Sequence, residues 1–268
     1  MRLTGLRCQV EINEAGLYQQ SGANVRVFGM SAALMDRLTL LSWHAPTLGY
    51  NTLEVFAGTN EADMGLIFSG NIYNAMPDFQ GAPDVSFNVE AQCGIIRQLA
   101  TDAPLSFPGT TSIAAIMGTL AKGLGVTFEN NGVEGTLTDV YLPGTLLDKV
   151  SSIANAASID YYYDEAQKVL AISPRGTGRQ NLDPILISPE SGLVKWPQIT
   201  KQGIDFTILH NPSVVRGVPL QVQSDRPNTN GSWYAYALAH RLHSQTPGGP
   251  WFTHISASRG QNVLRETQ

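Results

Sequence analysis

The sequence predicts a mainly β protein in which two similar small β-barrels flank an α+β insert. The first observation behind this is an order of elements that occurs twice. Near the start, residues 23–29 (ANVRVFG) lead through a short apolar helical stretch, 30–41, into 52–58 (TLEVFAG), 65–73 (GLIFSGNIY) and 85–90 (VSFNVE). Near the end, residues 204–210 (IDFTILH) lead through a shorter link, 212–217, into 220–224 (LQVQS), 233–243 (WYAYALAHRLH) and 251–257 (WFTHISA). From Leu53 against Leu220 to Phe87 against His254 the offset holds at about 167 residues, although the side chains barely match. The second observation is composition: only 15% of residues are charged, and short alternating apolar runs sit between 26 Gly and 15 Pro. The third is a change of character between about residues 101 and 179, which divides the chain into a first barrel over 1–100, an α+β insert over 101–179 and a second barrel over 180–268.

Each element has a local reason. The alternating runs place every second residue on one face, as a half-buried strand requires. In the link between the second and third strands, Leu34, Met35, Leu38 and Leu41 form an apolar stripe that buttresses the first barrel. In the insert, residues 104–109 (PLSFPG) read as a bounding loop. Thr111 or Ser112 caps a helix carrying Ile113, Ile116, Met117 and Leu120 on one face, and Gly123 and Gly125 end it. Residues 126–129 and 136–142 flank Asn130-Asn131-Gly132, a turn sequence suited to positive φ, and are expected to pair as a hairpin. Thr145 with Asp148 three residues on has the pattern of a capping box, opening a helix with Leu146, Leu147, Val150, Ile153 and Ala154 on one face. A hairpin of 159–163 and 168–173 closes the insert, and residues 175–179 (RGTGR) read as a flexible connector.

Composition also excludes functions. The formal net charge is −5 and none of the 17 Lys and Arg residues forms a basic run, which argues against a nucleic-acid binder. The amino terminus lacks the apolar stretch of a signal peptide, and residues 113–120 are too short to span a bilayer, so assembly in a cytoplasm and no membrane insertion are expected. Cys8 and Cys93 fit a reducing compartment as structural thiols.

The segments VRVFGMSAALMDRLT, ILHNPSVVRGVPLQVQS and GSWYAYALAHRLHSQTPGGPWFTHISA resemble the baseplate hub proteins of contractile-tailed bacteriophages, a set that includes the phage late control protein D and the amino-terminal part of type VI secretion spikes. The local match centres on Asn211-Pro212, Gly217, His240, a Pro-Gly-Gly loop and Trp251. The resemblance implies two barrels like the tail-tube subunit. A homotrimer would then offer six barrels to the sixfold tube and threefold symmetry to the central spike. It implies as partners the tail tube protein, the central spike protein, the tape-measure protein and neighbouring baseplate proteins, with DNA only as transient cargo and with no cofactor or metal. The chain ends at Gln268, so a spike or lytic domain is expected on a separate polypeptide.

Candidate chemical sites have plain readings. His240, His243 and His254 lack an accompanying acid or thiol, and i and i+3 fall on opposite faces of a strand, so surface histidines are expected. Cys93 beside His44 or His210 lacks an activating helix start. Asp160, Asp164 and Glu165 fall at a hairpin turn and read as a solvated loop. The aromatic residues of the final hairpin, Trp233, Tyr234, Tyr236, Trp251 and Phe252, exceed what one barrel core takes inward and are assigned to subunit contacts. The resulting reading is a structural, non-enzymatic hub of the virion tail. The competing one is a cell-wall-degrading or carbohydrate-binding tail component.

Overall fold

The computed structural model describes residues 2–14, 20–39, 51–60, 63–99 and 102–259. The first part of the chain forms β1 (Cys8–Glu14), β2 (Gly22–Phe28), α1 (Ala32–Leu38), β3 (Thr52–Ala57), β4 (Gly65–Asp78), β5 (Ser86–Gln92) and α2 (Ile95–Leu99). The last part forms β11 (Ile185–Ile187), β12 (Gln198–Ile199), β13 (Ile204–Leu209), β14 (Pro219–Val222), β15 (Gly231–Ser244) and β16 (Trp251–Ser258). The alternation that suggested these strands is the burial that holds them. Ala23, Val25 and Val27 of β2 and Ile204, Phe206 and Ile208 of β13 are buried, while the residues between them face outward. Residues 40 and 41 of the expected helical link and His44 lie outside the described residues.

The duplicated order is a property of the pairing. The first part runs β1-β2-β5-β4-β3 and the last part β12-β13-β16-β15-β14. The two are not closed into separate barrels: β1 also pairs antiparallel with β15, Ile12 opposite His240, so both parts belong to one 11-stranded sheet. The expected closure gives way because β1 lends its second edge to the other half, satisfying backbone groups that an open edge would expose. Each part keeps a core of its own. Val10, Ile12, Val25, Val27, Phe68 and Phe87 centre the first, and Ile187, Phe206, Val218, Leu220, Trp233 and Ile255 the second. Leu242 and Trp251, from the final hairpin, pack into the first.

Between them lie β6 (Leu105–Ser112), α3 (Ile113–Leu124), β7 (Thr127–Asn130), β8 (Thr136–Leu142), α4 (Leu146–Ala157), β9 (Ile159–Asp164) and β10 (Val169–Pro174). Both helix starts follow their caps. Ser112 accepts a hydrogen bond from Ala115 N at 3.2 Å, Thr145 and Asp148 form the reciprocal capping box, and Gly125 ends α3 at φ 73°. The strands pair differently from expectation. Instead of forming a hairpin with β8, β7 runs parallel to β10, while β8 pairs with β6, the segment read as a loop. Pro108-Gly109 is a bulge in β6, where Gly109 at φ 71° donates to Asp139 Oδ1 at 2.7 Å. Asn131 does not close a hairpin either: its amide bonds Ile172 O at 3.1 Å and accepts from Gln180 N at 2.9 Å, tying the turn to β10 and to the following segment.

Ile12 is 1% exposed in the strand shared by both parts of the sheet. Ile12→Ala should lower unfolding free energy by about 2–5 kcal/mol, the usual range for emptying such a position. Urea unfolding followed by tryptophan fluorescence measures it.

Candidate assembly site

Two features of the sheet are candidates for function: its open face, and a buried polar joint beneath the opposite face. The open face follows from the period of two. Glu11 and Asn13 of β1, Asn24 and Arg26 of β2, Asn88 and Glu90 of β5 and Arg241 of β15 alternate with the core residues and line up across the strands through Arg241 opposite Glu11, Glu11 opposite Asn24 and Asn24 opposite Glu90. Arg241 Nε donates to Glu11 at 3.1 Å and the Asn74 amide to Glu90 at 3.4 Å. The shallow groove across β16, β15, β1, β2 and β5 is lined by two carboxylates, Glu11 and Glu90, and one guanidinium, Arg241, with Asn13 and Asn24 between them, so it holds no excess of positive charge.

On the other face Ile12, His240 and Thr253 are neighbours across β1, β15 and β16. His240 is 3% exposed, so the surface histidine expected from sequence is a core residue. Its Nε2 lies 3.3 Å from Glu14 Oε1, and Arg216 Nε lies 3.3 Å from Glu14 Oε2. Arg216 also donates to Tyr163 O, at 2.5 Å, which anchors the insert to the sheet. The Thr253 hydroxyl contacts His240 Nδ1 at 2.9 Å and His210 Nδ1 at 3.0 Å. A carboxylate only accepts, so His240 donates to Glu14 from Nε2, and the Thr253 hydroxyl bridges the Nδ1 atoms of His240 and His210. His210 Nε2 is buried and, among the described residues, without a hydrogen-bond partner. Burial, reinforced by His240, lowers the His210 pKa to about 4.

The other candidates resolve into structural roles. Asp160, Asp164 and Glu165 are not a solvated loop. Asp160 is buried and accepts from Gly176 N at 2.8 Å, and Glu165 accepts from Gly94 N at 2.8 Å and lies 3.5 Å from Cys93 Sγ. Burial, with Glu14 nearby, raises the Asp164 carboxyl. Burial, with Glu165 beside it, also pushes the Cys93 thiol far up, which keeps it protonated and unreactive. Residues 175–179 are a clamped crossing, not a flexible connector. Arg179 makes a two-pronged pair with Glu129 at 2.9 and 2.7 Å, and Gly178 leaves no room for a Cβ between Tyr234 and Gly217 O. Among the described residues no group of three or more His, Cys, Asp or Glu is placed to hold a metal.

The aromatic residues of the final hairpin fall into different surroundings. Trp233 is buried in the second core, its Nε1 donating to Thr229 O at 2.9 Å under the guanidinium of Arg259. Tyr234 covers Gly178, and Tyr236 donates to Gln202 at 3.1 Å. Trp251, half-buried, meets His210 edge-on at 5.9 Å, while Phe252 is half-buried at the end of β16. Sequence reading missed the polar joint, because Glu14 lies 226 residues from His240 and only the β1–β15 register brings them together.

Comparison with known proteins decides the family. The model of the Baseplate hub gp41 family matches residues 3–253. This chain belongs to that family. The hub is a structural component of the phage tail baseplate, and association with other tail components goes with that role. The fold is similar to that of a tail protein from Neisseria meningitidis MC58, at 7% identity and TM-score 0.64, covering 95% of this chain and 96% of that one. It is similar to the 43 kDa tail protein of prophage MuSo2 from Shewanella oneidensis, at 9% identity and TM-score 0.60, covering 95% and 93%. It also resembles the E. coli c3393 protein, at 8% identity and TM-score 0.61, covering 97% and 76%. That protein is described as a type VI secretion component with structural similarity to the T4 tail proteins gp27 and gp5. A comparison with curated protein sequences finds no match.

Two measurements test the joint of this hub protein. Arg216→Met leaves Glu14 and Asp164 facing one another without their cation and should cost about 3–5 kcal/mol in urea unfolding, the range for breaking a buried pair from one side. A histidine kept neutral in the fold but free to protonate when unfolded stabilises the fold fully above its ordinary value of 6.5; that stability is lost as pH falls toward about 4. The melting temperature should therefore drop across that window, and His210→Asn should flatten the drop.

Proposed function

We propose that three copies of this hub protein close into a ring that continues the tail tube, adapting its sixfold symmetry to a threefold central spike. The observation that carries this reading is the duplicated strand order β1-β2-β5-β4-β3 and β12-β13-β16-β15-β14 in a member of a baseplate hub family. A chain holding two like units presents six of them when three chains assemble, which is a geometric function and requires no catalytic group. In this reading the protein is non-enzymatic. Residues 1–100 and 180–268 act as two tube-like units and residues 101–179 as a peripheral α+β domain. Assembly takes place in the host cytoplasm, with tube, spike, tape-measure and neighbouring baseplate proteins as partners.

The open polar face of the sheet is assigned to the channel. DNA passing a wall of Asn13, Asn24, Asn88 and balanced Glu and Arg side chains meets no net positive field to hold its phosphates. The final hairpin, with Trp233, Tyr234, Tyr236, Trp251 and Phe252, is assigned to the side turned toward a neighbouring subunit. Trp233 contributes there by supporting the strand from within its core.

Native mass measurement of hub released from assembled tails should give three chains, and a zymogram on peptidoglycan should show no clearing. A single chain with clearing would favour a lytic component instead. Replacing Asn13 and Asn24 by Lys should leave tail assembly intact and slow DNA release from the phage, read as delayed dye uptake by ejected DNA.

A further inference from the structure

The ring reading above leaves open how one chain meets the next, and the duplication within the chain supplies a template. β12 pairs antiparallel with β13 as β1 pairs with β2. β4 and β15 are each 14 residues long, and each bulges at a tyrosine, Tyr73 and Tyr236, where it pairs with β5 or β16. With those bulges superposed, the two halves correspond strand for strand.

The correspondence breaks at one place. Along one edge of β15, β14 covers Gly231 to Tyr234 and β1 covers Leu238 to Ser244. Along the equivalent edge of β4, β3 covers Gly65 to Asn71, and among the described residues no strand covers residues 73–78. The strand equivalent to β1 is β12, and among the described residues its outer edge is also unpaired. So the molecule contains one filled junction, β1 on β15, and the two separated halves of a second one. Six strands lie between β12 and β4 in the sheet, so seven strand steps of about 4.8 Å separate them, roughly 34 Å along the sheet.

We infer that β12 of one copy adds antiparallel to residues 73–78 of β4 in the next copy, repeating between chains the β1–β15 junction found within each chain. The occupant is a second copy because the filled junction is the same pairing of equivalent strands, and because the contact is head-to-tail, the kind that forms a ring when the rotation between copies closes. The surroundings agree. Ile199 is 66% and Trp196 58% exposed beside β12, and Phe79 is 54% and Met76 38% exposed at the end of β4, all apolar area that such a contact would cover. Lys195 and Lys201 flank β12, and Asp78 ends β4. Across the internal junction the same sheet face carries the Arg241–Glu11 pair at 3.1 Å. Superposing the bulges places Gln198 opposite Asp78.

The test is cysteine trapping in assembled tails. Gln198→Cys combined with Asp78→Cys should give, on mild oxidation, covalent dimers and a closed covalent ring on a denaturing gel, whereas each single variant stays at the mass of one chain. Gln198→Cys with Met76→Cys covers a diagonal approach. If both double variants enter tails as a multi-copy ring and neither forms the covalent product, the edge pairing is wrong while the ring reading stands. If the tails hold a single copy, the ring reading and this junction fall together.

Discussion

Strand β1 is the constraint on which the rest of the architecture depends, because it satisfies two sheet edges at once. One edge bonds β2 and completes the first unit; the other bonds β15 and carries the sheet into the second. A sheet edge left open exposes unpaired amides and carbonyls. Placing β1 there removes two such edges and fuses both halves into one body without an added linker domain. It also fixes register. A slip by one residue would turn Val10 and Ile12 outward and bury Glu11 and Asn13, so the apolar side of β1 admits one alignment.

The same strand sets the position of the insert. Glu14 follows Ile12 on the inward side and holds Arg216, which in turn binds the carbonyl of Tyr163 at the end of β9. The Glu14 carboxylate also receives His240, and through Thr253 the hydrogen bonds extend to His210. An apolar contact between two bodies tolerates sliding. A buried carboxylate with a guanidinium and an imidazole on its two oxygens does not, because any displacement leaves a charge without a partner in a poorly solvated place. The insert is therefore held in one orientation to the sheet, as a part within a larger assembly requires.

Much of the β architecture was legible because strand burial imposes its own alternation on the residues. The runs 23–29, 52–58, 204–210 and 251–257 became strands within a residue or two at each end, and the helix caps at Ser112 and Thr145 formed as their side chains dictate. What could not be read is which edge meets which. β6 looks like a loop because Pro108 and Gly109 interrupt it, yet a bulge accommodates both once β8 is beside it. Closure into two barrels was expected because nothing local to residues 8–14 reveals that their second edge goes to β15. The carboxylates Asp160, Asp164 and Glu165 look solvated when only their turn is considered. They are enclosed by Gly176, Glu14 and Gly94, which come from three different parts of the chain. The joint itself was invisible for the same reason, since none of its members is a sequence neighbour of another that would give it a motif.

In the proposed assembly the working elements are thus largely backbone elements: strand order, the tyrosine bulges, and the edges of β12 and β4 that are unpaired among the described residues. Such features constrain residue identity weakly, requiring only that alternate positions be apolar and that the turns have room. The polar face adds a negative requirement, the absence of a basic cluster, which many combinations of Asn, Gln, Glu and Arg meet. A protein that worked in the proposed way, through strand edges and a polar wall, could therefore change most of its side chains and keep its architecture. A catalytic site could not, because its geometry is held by particular atoms. The Glu14–Arg216–His240 joint differs from these elements, since charge pairing in a core admits few substitutes, and it sits where β1, the last hairpin and the insert converge.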